Sequence, residues 1–215
     1  MRPLLLGHRG ARASRNVPEN TLASFELCLQ HSCDGFEFDV RQSADGQAVV
    51  CHDAVVRGME IARTPATVLG LPTLDQVLQS FAARAFLDIE LKVRGLEQET
   101  IRLLRAHSPK KGYVVSSFLP QVLVAVHGLE ATVPLGFICD RPAELELWEG
   151  LPAEWIIPQF RLSDQALIRQ VHAAGKRVMV WTVNRADEFR KLIQYGVDAI
   201  VSDETELGVQ VLGTS

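Results

Sequence analysis

The chain has 215 residues, of which 47% are hydrophobic and 22% charged, with a formal net charge of −4. That length is enough for one well-buried core. The slight acidic surplus excludes a general attraction to nucleic acid or anionic lipid, so any affinity for phosphate must be local to a pocket. Apolar runs of strand length alternate with amphipathic stretches of helical period. The pattern predicts strands at 3–6, 35–40, 85–91, 113–116, 134–138, 155–157, 177–181 and 199–201. Helices are predicted near 19–31, 73–82, 96–107, 119–127, 141–148, 163–174, 186–195 and 203–211.

Nearly continuous apolar strands separated by helices indicate a parallel sheet covered on both faces, and eight repeats close a (β/α)₈ barrel. The fold expected is therefore α/β, a TIM barrel forming a single domain over 1–215, with short loops because about 250 residues is typical of that fold. Asp45-Gly46 predicts a hairpin after the second strand that returns toward His52. Ser163 or Asp164 can cap the sixth helix and Gly175 can end it. The stretch 54–72 yields no assignment. Cys28, Cys33, Cys51 and Cys139 match neither a zinc spacing nor a disulfide-stapled domain, and read as reduced thiols, largely buried. Leu4-Leu5-Leu6 is too short for a signal-peptide core and no run approaches a membrane span, which predicts a cytoplasmic protein without stable membrane insertion.

Each polar motif closes an apolar run. Gly7-His8-Arg9-Gly10 follows the first, Glu37-Phe38-Asp39 the second and Glu90-Leu91-Lys92 the third, while Cys51-His52-Asp53 follows the hairpin. In a barrel these strand ends share one mouth, so the side chains converge. Glu37 and Asp39 share a face of their strand, as do Glu90 and Lys92. Three crowded carboxylates raise one another's pKa unless a cation neutralises them, and an all-oxygen donor set favours a divalent metal, Mg²⁺ or Ca²⁺, over zinc. Arg9 can grip phosphate through its planar fork, with Lys92 as a point charge. His8 and His52 can supply the base and acid that phosphodiester cleavage needs. The plainer reading of the carboxylates is a set of salt bridges to Arg9, Arg41 and Lys92, and a buried Lys92 could also form a Schiff base, a role opposed by its acidic neighbours. Phe118 and Trp181 read as pocket walls, with core packing as the alternative. His31, His107, His127 and His172 fall on or beside helices and are expected at the surface.

These motifs resemble the glycerophosphodiester phosphodiesterase family. Gly-His-Arg-Gly at 7–10, Pro-Glu-Asn-Thr at 18–21, Glu-Phe-Asp at 37–39, His-Asp at 52–53, Pro-Thr-Leu at 72–74, Glu-Leu-Lys at 90–92, Ser-Ser-Phe at 116–118 and Trp-Thr-Val-Asn at 181–184 occur in the family's order through nearly the whole chain. The resemblance implies a barrel that hydrolyses a small-molecule glycerophosphodiester to glycerol 3-phosphate and an alcohol with the help of a divalent metal. By matching position, His8 and His52 would be the acid–base pair, Glu37, Asp39 and Glu90 the metal ligands, and Arg9 and Lys92 phosphate contacts. Glu19 and Asn20 match a motif at the mouth, where Asn20 would begin the first helix or touch substrate. The departure lies between His52 and Pro72, where the family's longer insertion and cap are reduced. A more open pocket predicts broad tolerance among water-soluble glycerophosphodiesters. The alternatives are a phospholipase C or lysophospholipase D-like phosphodiesterase, and a non-catalytic binding barrel, which would be expected to have lost one of the histidines or carboxylates.

Overall fold

A computed structural model describes residues 2–213. Its elements in chain order are β1 Leu4–His8, α1 Leu22–Gln30, β2 Gly35–Gln42, β3 Ala48–Val50, β4 Val55–Val56, β5 Met59–Glu60, α2 Ala66–Leu69, α3 Leu74–Phe81, β6 Phe86–Leu91, α4 Glu97–His107 and β7 Tyr113–Ser117. They continue as α5 Pro120–Leu129, β8 Leu135–Cys139, α6 Pro142–Leu145, β9 Trp155–Pro158, α7 Gln165–Ala173, β10 Arg177–Val180, α8 Ala186–Tyr195, β11 Ala199–Ser202 and α9 Thr205–Gly213. Parallel pairing runs from β1 through β2, β6, β7, β8, β9, β10 and β11 and back to β1, which closes the eight-stranded barrel. β3 adds to β2 in antiparallel register through the expected Asp45-Gly46 turn, with Val40 opposite Val50.

Alternation along the strands divides the core into two layers. Outward side chains meet the helices, as where Phe25 of α1 stacks on Phe36 of β2 at 4.2 Å and Phe81 of α3 meets Phe36 edge-on at 5.2 Å. Inward side chains form a second cluster, Leu6, Phe86, Val114, Ile138, Trp155, Ile157, Met179, Ala199 and Val201, which plugs the barrel. Continuing each strand by two residues from this plug reaches the functional groups: Leu6 leads to His8, Phe86 to Asp88 and Glu90, and Val201 to Asp203. The barrel is therefore apolar below and polar at its C-terminal mouth.

The helix starts follow local chemistry. Thr21 caps α1 by accepting from the Ser24 N–H, Thr73 and Gln76 form a reciprocal capping box on α3, and Asp164 accepts from the Leu167 N–H at 2.8 Å. The helix expected near 141–148 is instead α6 and a separate 3₁₀ turn at Trp148–Gly150. Neither has a side-chain cap, and Gly150 and Pro152 stop further winding.

The stretch 54–72 is ordered. It holds the β4–β5 hairpin, a 3₁₀ turn at Ile61–Arg63, and α2. Elements of two to four residues are too short to print a period in sequence. Val49, Ile61 and Leu69 form a small core of their own beneath it. The Val50 N–H donates to the Pro72 carbonyl at 2.8 Å and ties the segment to β3. Among the described residues, no helix is long and apolar enough to cross a membrane.

Candidate active site

β1 delivers His8, and the turn after it is folded tightly onto α1. Gly10 has φ +84°, and a Cβ there would lie 2.2 Å from the Ser24 hydroxyl oxygen. Arg9 also has positive φ, 54°. It is held there by its N–H donating to Glu37 Oε2 at 3.0 Å and by its carbonyl accepting from Ser24 Oγ at 2.9 Å. The His8 Nδ1 lies 2.7 Å from Asp203 Oδ1, and its Nε2 lies 3.8 Å from Glu37 Oε2. An ionised carboxylate can only accept, so Asp203 keeps a proton on Nδ1 and leaves Nε2 as the exchanging nitrogen of the neutral ring.

Asp203 is itself fixed by Asn184 Nδ2 at 2.7 Å and Arg12 Nη1 at 3.0 Å. Burial opposes its charge, but the bond to His8, the His8 charge, Asn184 and Arg12 together hold it below the ordinary carboxylate range. Asp203 belongs to none of the sequence motifs. Its signal was alternation, since Ala199, Val201 and Asp203 occupy successive inward positions.

β2 and β6 deliver the carboxylates, with Asp39 registered against Glu90 and Glu37 against Asp88. Oxygen atoms of Glu37, Asp39 and Glu90 all lie within 4.8 Å of one another. Ion pairs account for only part of this set. Asp39 has Lys92 Nζ at 3.3 Å, Arg9 Nε at 3.2 Å and the Asn20 amide at 2.8 Å, and Glu90 has Lys92 Nζ at 2.7 Å. Arg41 joins none of them; its Nε donates to the His52 carbonyl at 2.7 Å. Glu37 Oε1 is buried with no hydrogen-bond partner.

The protonation equilibria follow this division. Burial, aggravated by Asp39, Glu90 and Asp88, pushes Glu37 well above the usual carboxylate range. Burial likewise lifts Glu90 to about 7, with Lys92 opposing the rise. Burial works against Asp39 too, but Lys92, Asn20 and Arg9 outweigh it and keep that pKa low. An orphaned buried oxygen in an all-oxygen cluster is what a hard divalent cation fits.

Asp88, also missed in sequence, lies one inward position below Glu90. Ser116 Oγ donates to it, and burial lifts its pKa to about 7.

His52 follows β3 with Nδ1 2.8 Å from Asp53 Oδ1. Its side chain is 36% exposed, against 11% for His8, so the two histidines differ in contact with water. Both line one cavity of about 300 Å³ with Arg9, Glu37, Asp88, Glu90 and Lys92. The remaining wall is Phe118, Ile138, Asp140, Ile157, Trp181 and Val201. Phe118 and Trp181 meet edge to face at 5.5 Å, and the Trp181 Nε1–H donates to the Ile157 carbonyl at 3.0 Å.

Phe118 and Trp181 line the cavity, and Glu19 and Asn20 are absent from its lining. Glu19 stands behind the cavity, bonded to Arg9 Nη1 at 2.7 Å and Arg12 Nε at 2.6 Å. Asn20 is buried against Asp39 and Thr21 caps α1, so Asn20 neither begins the helix nor reaches the cavity. Glu19 braces Arg9, which lines the cavity, and Asn20 braces Asp39 of the carboxylate cluster.

A parallel barrel whose mouth gathers a cation-ready carboxylate cluster, a guanidinium, an ammonium and two histidines has the equipment of a phosphoester-cleaving enzyme. The Glycerophosphoryl diester phosphodiesterase family model matches residues 8–110 and 64–207, and the chain belongs to that family. A glycerophosphodiester phosphodiesterase of Caldanaerobacter subterraneus subsp. tengcongensis is 27% identical over 96% of both chains. Among solved structures, an Oleispira antarctica phosphodiesterase in complex with the product sn-glycerol-3-phosphate is 27% identical. It has a TM-score of 0.87, over 99% of this chain and 97% of that one. A Thermotoga maritima glycerophosphodiester phosphodiesterase, 24% identical, shares the fold with a TM-score of 0.86 over 98% of this chain and 99% of that one.

Proposed function

We propose that the chain hydrolyses water-soluble glycerophosphodiesters to glycerol 3-phosphate and an alcohol, using a divalent cation, Mg²⁺ or Ca²⁺, and two histidines. The observation that carries this reading is the convergence of His8, His52, Arg9, Lys92, Glu37 and Glu90 on one cavity in a member of this family. The product complex of the Oleispira antarctica relative supports the choice of substrate. Glu37, Asp39 and Glu90 would hold the cation, which when bound neutralises the cluster and stabilises negative charge building on the phosphate.

The remaining work falls to the chain's own groups. Arg9 is fixed by Glu19 and Asp39 and Lys92 by Glu90 and Asp39, so both cations face the phosphate without a search for geometry. His8 takes a proton at Nε2 from the attacking water, and the imidazolium so formed is stabilised by Asp203 and Glu37. His52 gives its proton to the leaving alkoxide as the bond from phosphorus to that oxygen breaks. Its contact with water suits reprotonation after each turnover.

The test is a coupled assay for glycerol 3-phosphate from a panel of deacylated phospholipids, with and without chelator. Glycerol 3-phosphate formed only when Mg²⁺ or Ca²⁺ is present is the expected result. Absence of this product from every diester overturns the reading, and a cyclic phosphate formed in chelator would point to phospholipase C-like chemistry instead.

A further inference from the structure

We propose that Asp140, with the aromatic pair Phe118 and Trp181, forms a subsite for the ammonium of an amino-alcohol headgroup, so that the site prefers cationic over neutral or anionic glycerophosphodiesters. This rests on the hydrolase reading above and adds a discrimination that an open pocket would lack. Gly136 and Ile138 occupy successive inward positions of β8, Asp140 follows directly after the strand's last residue, and both Ile138 and Asp140 line the cavity. Among the cavity-lining residues of the arc from β7 to β11, Asp140 is the sole charged side chain; Asp203, inward after β11, does not line the cavity and is engaged by His8.

Asp140 differs from the carboxylates of β2 and β6. Its side chain is 44% exposed, too open for a buried ligand cluster. Its nearest cation is Arg141 Nε at 3.6 Å, and Arg141 is also bonded to Glu144, so the group retains an acidic surplus.

Placement in the barrel gives this charge a direction. β8 lies four strands from β1 by either route around the barrel, so Asp140 faces the mouth opposite His8 and Arg9. A diester whose phosphate rests by Arg9 and Lys92 extends an ester group across the mouth toward β8. The wall it meets is aromatic, and Trp181 is immobilised by its bond to the Ile157 carbonyl. Lys92 Nζ already sits 5.5 Å from the Phe118 ring centroid, so Phe118 contributes to the subsite as the apolar wall that backs Trp181, while the headgroup cation is directed to Trp181 and Asp140. An anionic headgroup would instead meet Asp140, whose one neighbouring cation, Arg141, is shared with Glu144. One carboxylate and one aromatic face in a solvent-exposed setting support a preference of about tenfold.

The experiment compares kcat/KM at low salt for glycerophosphocholine and glycerophosphoethanolamine against glycerophosphoglycerol and glycerophosphoinositol. The wild-type chain should favour the first pair about tenfold, the ratio should fall toward one in Asp140→Asn, and Asp140→Lys should reverse it. A ratio unchanged by both substitutions overturns the subsite. Calorimetric binding of glycerophosphocholine and glycerophosphoglycerol to His8→Ala supplies a readout independent of turnover. If no diester is hydrolysed, the hydrolase reading fails alone, while equal affinity of the two diesters in calorimetry removes the headgroup site.

Discussion

The inward side chains of β1, β2 and β6 and those of β7 to β11 occupy equivalent places around one mouth, yet the first arc is charged and the second nearly all apolar. In the charged arc several groups are positioned by other charges, as Lys92 is by Asp39 and Glu90, and His8 by Asp203. In the apolar arc position comes from packing on the barrel plug, as for Ile138, Ile157 and Val201. The first arrangement opposes folding, because burial disfavours the charges of Glu37 and Glu90. The second offsets it. Substitutions in one arc should therefore act on chemistry, and in the other on affinity.

The largest expected effect tests the charged arc as a cation site. Chelation should abolish turnover, and Mg²⁺ or Ca²⁺ should restore it. Glu37→Gln should abolish it in any ion, yet raise the Tm of the chelated protein, because a neutral amide relieves a buried charge whose Oε1 has no partner. Full turnover in excess chelator, or a lower Tm for Glu37→Gln, would break the assignment.

Next come the histidines. His8→Ala and His52→Ala should each lower kcat by about 10²-fold to 10⁴-fold, the usual range for one general acid or base. A p-nitrophenyl ester needs no proton on its leaving group, so it should rescue His52→Ala far more than His8→Ala. Equal rescue would dissolve the division of roles between them.

Asp203→Asn should lower kcat by about tenfold to a hundredfold, the scale of one hydrogen bond to a charged group. It should also lower Tm at neutral pH. The folded pKa of Asp203 is depressed below the ordinary 3.8, so its contribution to stability is complete above that value and is lost as pH falls below it. The Tm gap between wild type and Asp203→Asn should hold steady from pH 7 to pH 5 and narrow below 3.8. A gap that persists at lower pH would assign the loss to packing rather than charge.

The smallest effect belongs to the apolar arc. Phe118→Ala should raise KM by about tenfold or less with kcat little changed, the signature of lost uniform binding. A fall in kcat instead would mean that this wall also orients the reacting groups, and the contrast between the arcs would weaken.

Much of the site was legible because strand geometry is. His8, Glu37, Asp39, Glu90 and Lys92 each end an apolar run, and alternation alone places them at the mouth. What escaped depends on contacts remote in sequence. Asp203 gains its meaning from His8, 195 residues away. Asn20 acts through Asp39, a contact that helix-capping patterns do not encode. Asp88 was legible by the same alternation as Glu90 but belongs to no polar motif. The segment 54–72 escaped for a different reason, since strands of two residues and a helix of four carry no period to read.

That segment divides the proposed acid–base pair between two structural units of unequal size. His8 is part of the closed barrel, whereas His52 lies where β3 passes into a hairpin anchored by Val49, Ile61 and Leu69, a cluster separate from both main layers of the core. So small a cluster can open locally at a free energy below that of global unfolding. Warming should then release His52 while the eight strands remain paired, so that activity is lost reversibly below the Tm; loss of activity coincident with global unfolding would show that the periphery and the barrel melt as one.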